Sequence, residues 1–319
     1  MHFWQTIQKP IMAVAPMADV TDAPFRRMIA KYSSISPRPA AANFVSSEIP
    51  SAEASASDKS PRPPSQNQPL QDVAHNHFVT WTEFVAADGL MRAMPEGREK
   101  LLADLIYVEE ERPIVAQLFS SNPEYMEAGA ALAAELGFDG VDLNMGCPAS
   151  AIMKQGCGSA MIKDPARACE VIRAAKRGAG DIPVSVKTRI GYNEDEIETW
   201  IPALLAEEPA VLTIHARTKK DMSKVPAKWD RVARAVEIRD AMGSQTLILG
   251  NGDATSLADG QAKVAQSGAD GVMFGRALFG NPWFFHPTRR LPHRLIALPT
   301  SGVDRGELVV ADTSEAGVE

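Results

Sequence analysis

A thiol set between Gly146 and Pro148, in the segment DLNMGCPASAIMKQGCGSAMI (142–162), is the group in this chain best placed for chemistry. The short apolar run before it, with an acidic start, predicts a strand that ends where Cys147 opens a loop, and active sites gather at such ends. Cys169, within ARACEVIRAA, sits instead among apolar residues, where a cysteine packs as a small hydrophobe. Zinc ligation by Cys147 lacks a Cys/His quartet, since Cys157 lies ten residues on and nothing completes the set. A covalent nucleophile needs a paired histidine and an orienting group, and no local signature of that kind is present. A general acid needs only to stay protonated near neutral pH, which an ordinary thiol with a pKa of about 8.5 does. That role suits a reductase in which hydride reaches one face of the substrate and a proton the other.

Other reactive residue types stand at the ends of apolar runs. Lys187 and Arg189 end VSVKTR, and His215 and Arg217 end LTIHAR. Gly250-Asn251-Gly252-Asp253 and Gly275-Arg276 end the last two runs, where glycines expose backbone N–H groups to phosphate oxygens and Arg276 adds a charged donor. Lys187 could stabilise a ligand that gains negative charge, such as a reduced flavin ring, and His215 could donate to the same ring or to phosphate. Gln117 offers an amide that donates and accepts. The small residues of Ala15-Pro16-Met17-Ala18 let backbone approach a flat ligand.

Positioning these groups requires strands that deliver their ends to one face. Apolar, β-branched runs begin at Ile11, Phe78, Pro113, Phe138, Pro183, Ala210, Thr246 and Asp270. Between them lie segments of helical period, among them DAPFRRMIAKY, NPEYMEAGAALAAEL, DPARACEVIRAAKRG, EIETWIPALLAEE, AKWDRVARAVEIRDAMG and SLADGQAKVAQSG, several opening on Asp, Asn or Ser caps. Eight such units predict an α/β fold, a closed (β/α)8 TIM barrel over 1–32 and 77–285, with its reactive groups at the carboxyl ends of the strands. Residues 33–76 hold seven prolines and ten serines and predict a disordered insertion after the first helix. The tail, 286–319, is too weakly patterned for a second packed domain and is expected to be poorly ordered.

Composition narrows the classes. The 319 residues are 45% hydrophobic and 23% charged, and the three cysteines suggest no disulfide framework, so a cytoplasmic, reducing setting is expected. MHFWQTIQKP lacks the features of a secretory or transit leader, no apolar run reaches the length of a membrane span, and no metal site is expected. A monomer is expected. The net charge of −7 gives no global reason for nucleic-acid binding, so any such partner needs a local patch.

The motifs APMADVTDAPFRRMI, WTEFV, IVAQLF, DGVDLNMGCP with KQGCGSAMI, VSVKTRIGYN, LTIHARTKKDM, ILGNGD and GVMFGRALFGNPWFF, in this order, resemble those of the tRNA-dihydrouridine synthases over residues 11–285 apart from the insertion. The resemblance implies reduction of particular uridines in tRNA to 5,6-dihydrouridine, with FMN as cofactor and NADPH as its reductant. By the same resemblance Pro16, Met17 and Ala18 line FMN, and Gln117, Lys187 and His215 bond its ring or ribityl region. Asn251, Gly252, Asp253, Gly275 and Arg276 hold its phosphate end. Cys147 gives the proton to C5 of uracil after hydride reaches C6, and Asn144 lies beside the base. Arg189, Arg217, Lys219, Lys220 and Lys224 form a positive rim for RNA phosphates.

This sequence departs from the pattern in two places. Ala216 replaces the commoner glycine of HGRT, and the 34 residues after Phe285 lack the pattern of the helical RNA-binding domain usual in the family, which is expected to be largely absent. An FMN-dependent reductase of free pyrimidines or another small molecule is the alternative, and a catalytically silent RNA-binding barrel a more distant one.

Overall fold

The computed structural model describes residues 2–33 and 77–289. Among them eight parallel strands close into a barrel in sequence order. They are β1 (Ile11–Val14), β2 (Phe78–Ala86), β3 (Ile114–Phe119), β4 (Gly140–Met145), β5 (Val184–Arg189), β6 (Val211–His215), β7 (Leu247–Asn251) and β8 (Gly271–Phe274). β8 closes on β1 through the register Ile11↔Gly271 to Val14↔Phe274. Each apolar run of the sequence supplies one strand, and their near-continuous burial is what a parallel sheet covered on both faces demands.

Helices alternate with the strands: α1 (Ala23–Ser33), α2 (Ala87–Arg92), α3 (Pro95–Ala103), α4 (Pro123–Glu135), α5 (Ser150–Met153), α6 (Pro165–Ala179), α7 (Ile197–Leu205), α8 (Trp229–Ala241) and α9 (Leu257–Ser267). The architecture is therefore the expected (β/α)8 TIM barrel. Asn122, Asp164 and Ser256 cap α4, α6 and α9 by accepting backbone N–H groups, and proline occupies the first turns of α4 and α6. The expected start of the Pro/Ser-rich segment falls inside α1, whose last residue is Ser33. Its remainder, 34–76, lies outside the described residues, as does the tail from 290 onward.

Alternation along the strands divides the core in two. Ile11, Ala13, Val79, Trp81, Val115, Val211, Leu249 and Met273 fill the barrel interior. Trp4, carried by a 3₁₀ turn at Phe3–Gln5, packs into the same cluster with its ring 5.8 Å from that of Trp81. The outward residues pack under the helices. On the β8–β1–β2 side, Phe78 stacks on Phe285 at 4.3 Å, and the Ser33 hydroxyl ties α1 to Pro282 and Phe285. The described part of the chain thus brings its two ends of the motif series together beside β1.

Candidate active site

The site is built at the carboxyl ends of the strands, beginning inside the barrel with Asp142. Residues 142 and 144 point to the same face of β4, because side chains alternate along a strand. Asp142 is fully buried and accepts from Gln117 Nε2 on β3 at 2.6 Å and from Ser185 Oγ on β5 at 2.6 Å. Gln117 Oε1 accepts from Asn144 Nδ2 at 3.1 Å. Asn144 Oδ1 in turn accepts the backbone N–H of Gly146 at 3.2 Å and of Cys147 at 2.9 Å. Both lone-pair directions of the Asn144 carbonyl are thereby used, and the remaining hydrogen-bonding capacity of this side chain is one N–H. Burial pushes the Asp142 carboxyl up to about 6, against the hydrogen bonds from Ser185 and Gln117 and the charge of Lys187.

The loop carrying Cys147 is held from three sides. Arg189 Nε donates to the Gly146 carbonyl at 2.8 Å, and Thr188 Oγ1 donates to the carbonyl of Met145 at 3.0 Å. The Cys147 carbonyl accepts the N–H of Ser159 at 3.0 Å, in a 3₁₀ segment over Gly158–Lys163. Gly158 has φ +60°, and a β-carbon there would stand 2.6 Å from the Cys147 carbonyl oxygen and 3.3 Å from its Cβ. Only glycine permits this approach. Cys147 itself is half-buried, with Cys157 buried nearby in sequence.

Across the mouth, Lys187 Nζ donates to Asn251 Oδ1 at 3.1 Å, and Asn251 Nδ2 donates to the carbonyl of Met273 at 2.8 Å. The Lys187 ammonium is lowered to about 8 by burial and then by Arg189, with Asp142 opposing. His215 lies well below its ordinary value through burial, with the cations Arg189, Lys187, Arg217 and Arg276 adding to the effect. It is neutral at pH 7. Arg217 Nη1 lies 3.2 Å from His215 Nε2, and a guanidinium can only donate, so Nε2 accepts and Nδ1 carries the proton.

The β7 and β8 ends converge on Asp253. Its carboxylate accepts from Arg217 Nη2, from the Ala227 N–H at 2.9 Å and from Arg276 Nη2 at 3.1 Å. These bonds and the two guanidinium charges hold it below the usual carboxylate range although burial acts the other way. Gly252 has φ +120° and lies where a β-carbon would meet Ala227 Cβ at 2.9 Å and His215 Cδ2 at 3.3 Å. The N–H groups of Gly252, Asp253, Gly275 and Arg276 have no protein acceptor among the described residues. Four such donors with an exposed Arg276 side chain make a fitting cradle for a phosphate. Near it, Met17 is held by Thr21, whose Oγ1 accepts the Met17 N–H at 2.9 Å; Pro16 and Met17 are half-buried and Ala18 exposed. The buried Thr213 Oγ1 on β6 also lacks a partner among the described side chains. These residues fit FMN, with donors for its ring around Gln117, Lys187 and His215 and a cradle for its phosphate at β7 and β8.

Two residues expected on a positive rim are elsewhere. Arg189 and Arg217 are 6% and 2% exposed, and their guanidinium groups serve backbone carbonyls and Asp253. The rim is left to lysines. Lys220 and Lys224 are exposed, while Lys219 Nζ lies 4.9 Å from the ring centre of Tyr192 and the exposed Lys163 lies 3.9 Å from it. Asp142, Ser185 and Gly158 were not singled out from sequence. The i,i+2 spacing of Asp142 and Asn144 was the signal that both face inward. Among the described residues no cluster of three or more His, Cys, Asp or Glu could hold a metal, and no helix is long and apolar enough to cross a membrane.

A family model described as dihydrouridine synthase matches residues 13–304. A probable tRNA-dihydrouridine synthase 2 of Bacillus subtilis (strain 168) is 35% identical over 285 residues, covering 89% of this chain and 74% of that protein. A probable tRNA-dihydrouridine synthase of Staphylococcus aureus (strain COL) is 34% identical over 290 residues, covering 91% and 74%. Among solved structures, 2-naphthoyl-CoA reductase with bound 2-naphthoyl-CoA is similar at a TM-score of 0.54 and 11% identity, covering 88% of this chain and 52% of that one. That likeness concerns the fold alone. The family match covers the barrel from the middle of β1 onward and includes the Cys147 loop and the strand ends from Gln117 to Arg276, so this chain belongs to the dihydrouridine synthase family.

Proposed function

We propose that this protein reduces uridine in tRNA to 5,6-dihydrouridine, with FMN as its cofactor, NADPH as the reductant and Cys147 as the proton donor. The observation that carries the reading is the pairing of a thiol loop with an amide whose remaining capacity is to donate: Cys147 and Asn144 share one β4 end, flanked by Gln117 of β3 and Lys187 of β5, with His215 on the next strand, β6. Gln117, Lys187, His215 and the donors at the ends of β7 and β8 would hold FMN, which would supply the hydride that C6 of the uracil ring receives.

The chain's own residues do the rest. Asn144 directs its remaining N–H at a carbonyl oxygen of the base, which matches uracil, a ring with two carbonyl acceptors. Cys147 gives its thiol proton to C5, so one hydride and one proton add across the C5–C6 double bond and the thiolate regains a proton from solvent. Lys187 holds a cation at the mouth, where it would stabilise negative charge on a bound ring, and neutral His215 would donate through Nδ1–H. The N–H groups of Gly252, Asp253, Gly275 and Arg276 would hold the cofactor's phosphate end. Asp253 keeps the two arginines beside them in place.

A stacked uracil cannot reach this mouth, so the base must leave its stack. Lys163, Lys219, Lys220 and Lys224 provide the local positive charge that steers phosphates to an acidic protein. Flavin-loaded protein with NADPH and unmodified tRNA should form dihydrouridine, read by mass spectrometry of digested tRNA. Turnover of free uracil with none on tRNA would replace this reading with the small-molecule reductase.

A further inference from the structure

Asp142 has no place among the groups that meet substrate or cofactor, yet it is the root of the hydrogen-bond chain that arranges two of them. An ionised carboxylate only accepts, and backbone N–H groups only donate. The chain from Asp142 through Gln117 and Asn144 to the N–H groups of Gly146 and Cys147 is bounded by these two fixed polarities. One arrangement of the two amides satisfies both ends. It leaves Gln117 and Asn144 each with one N–H unassigned. If the Gln117 amide turned over, its carbonyl would face the Asp142 carboxylate and its NH₂ the Asn144 NH₂, breaking both links.

We propose that Asp142 is a positioning residue that locks the Gln117 amide, so that Gln117 and Asn144 both present donors to ligands bearing carbonyl oxygens. Ser185 completes the lock by donating to the other oxygen of the carboxylate, and its hydroxyl also lies 3.3 Å from the carbonyl of Val141. The proposal rests on the flavin and uracil reading above, and it adds why these amides are donors and what keeps them so.

The geometry separates two substitutions at this position. In Asp142→Asn the amide oxygen still accepts from Gln117, while its NH₂ donates to Ser185 Oγ and Ser185 turns its proton to Val141. In Asp142→Leu no acceptor remains, and the Gln117 amide is released. The double variant Asp142→Asn with Ser185→Ala frees the new amide to turn over, and it keeps the protein folded if the leucine does not.

The test uses full-length protein and three readouts: FMN titration into flavin-free protein by fluorescence, alkylation of Cys147 by iodoacetamide followed at its own peptide, and kcat and KM on tRNA. We expect Asp142→Asn and Ser185→Ala singly to stay within about threefold of wild type in FMN affinity. Asp142→Leu and the double variant should each lose tenfold or more, with a shifted flavin absorption spectrum, a fall in kcat at nearly constant KM, and an altered Cys147 labelling rate. Wild-type behaviour of the folded leucine and double variants in FMN affinity and spectrum would overturn the proposal. So would a loss in Asp142→Asn as large as in Asp142→Leu. Wild-type protein that binds FMN but makes no dihydrouridine would overturn the functional reading instead, leaving the FMN titration to decide the role of Asp142.

Discussion

Arg189 donates from Nε to the carbonyl of Gly146 at 2.8 Å, so a β5 cation grips the residue just before Cys147. Its Nη1 reaches the carbonyls of Thr218 at 3.1 Å and Met222 at 3.3 Å, joining the β4 and β6 loops. Burial and the neighbouring Arg217 lower it to about 10, which still leaves it charged at neutral pH. Asp221 holds the same turn from the other side by accepting the Thr218 N–H at 3.1 Å.

This arrangement makes Arg189 a loop anchor. Arg189→Lys, whose single nitrogen replaces the Nε and Nη1 that reach Gly146 and the Thr218–Met222 turn separately, should lower kcat on tRNA about tenfold, a loss of the size expected when catalytic geometry is loosened. The salt dependence of tRNA binding should not change. A phosphate contact would instead reduce the slope of log K against log salt by about 1.

Gly158→Ala should be the more damaging change in the same loop, since φ is +60° and the new β-carbon would fall 2.6 Å from the Cys147 carbonyl. Backbone strain of this kind costs about 1–3 kcal/mol. A drop in thermal midpoint together with loss of activity is expected, measured by calorimetry and by dihydrouridine formation.

The barrel was legible because its strands are short apolar runs, three of which end in a polar or charged residue, as in VSVKTR and LTIHAR, and because Asn122, Asp164 and Ser256 mark the starts of α4, α6 and α9. Helices α2 and α3 were not, because Gly89, Pro95 and Gly97 interrupt any apolar period there and α3 buries none of its residues. The strand-end list gave Gln117, Lys187, His215 and Asn251 as candidates by position, and they lie on β3, β5, β6 and β7. It misjudged the exposure of Arg189 and Arg217, since a residue at a strand end can emerge into solvent or turn beneath a neighbouring loop, and the difference lies in carbonyls from distant segments. Asp142 read as an acidic start to a strand. Its importance comes from Gln117 and Ser185, contributed by two other strands.

Lys187 should trade stability for function. Its ammonium is lowered to about 8 in the fold from an ordinary 10.5, so between those values the unfolded chain binds the proton that the folded chain has lost. Stability from this group therefore rises with pH across that window, and the cost of burying the charge is greatest below about pH 8. Lys187→Met should melt higher than wild type at pH 7, with the gap narrowing as pH rises toward 10.5, and should be inactive. Thermal melts across pH check it.

His215 should remain neutral, with its proton on Nδ1, throughout the range from pH 6 to 8. Nitrogen-15 chemical shifts of labelled His215 report both features. A protonated ring near pH 6.5 would remove the donor assignment given to Nδ1–H and the acceptor role of Nε2 toward Arg217.

Cys147 carries the central claim, and single-turnover reduction of tRNA by flavin-loaded, pre-reduced protein tests it most directly. Cys147→Ala should keep its FMN, accept electrons from NADPH at the wild-type rate and bind tRNA, yet form dihydrouridine about 10²–10⁴-fold more slowly, the range for loss of a general acid. Dihydrouridine formation at the wild-type rate by Cys147→Ala would contradict the account.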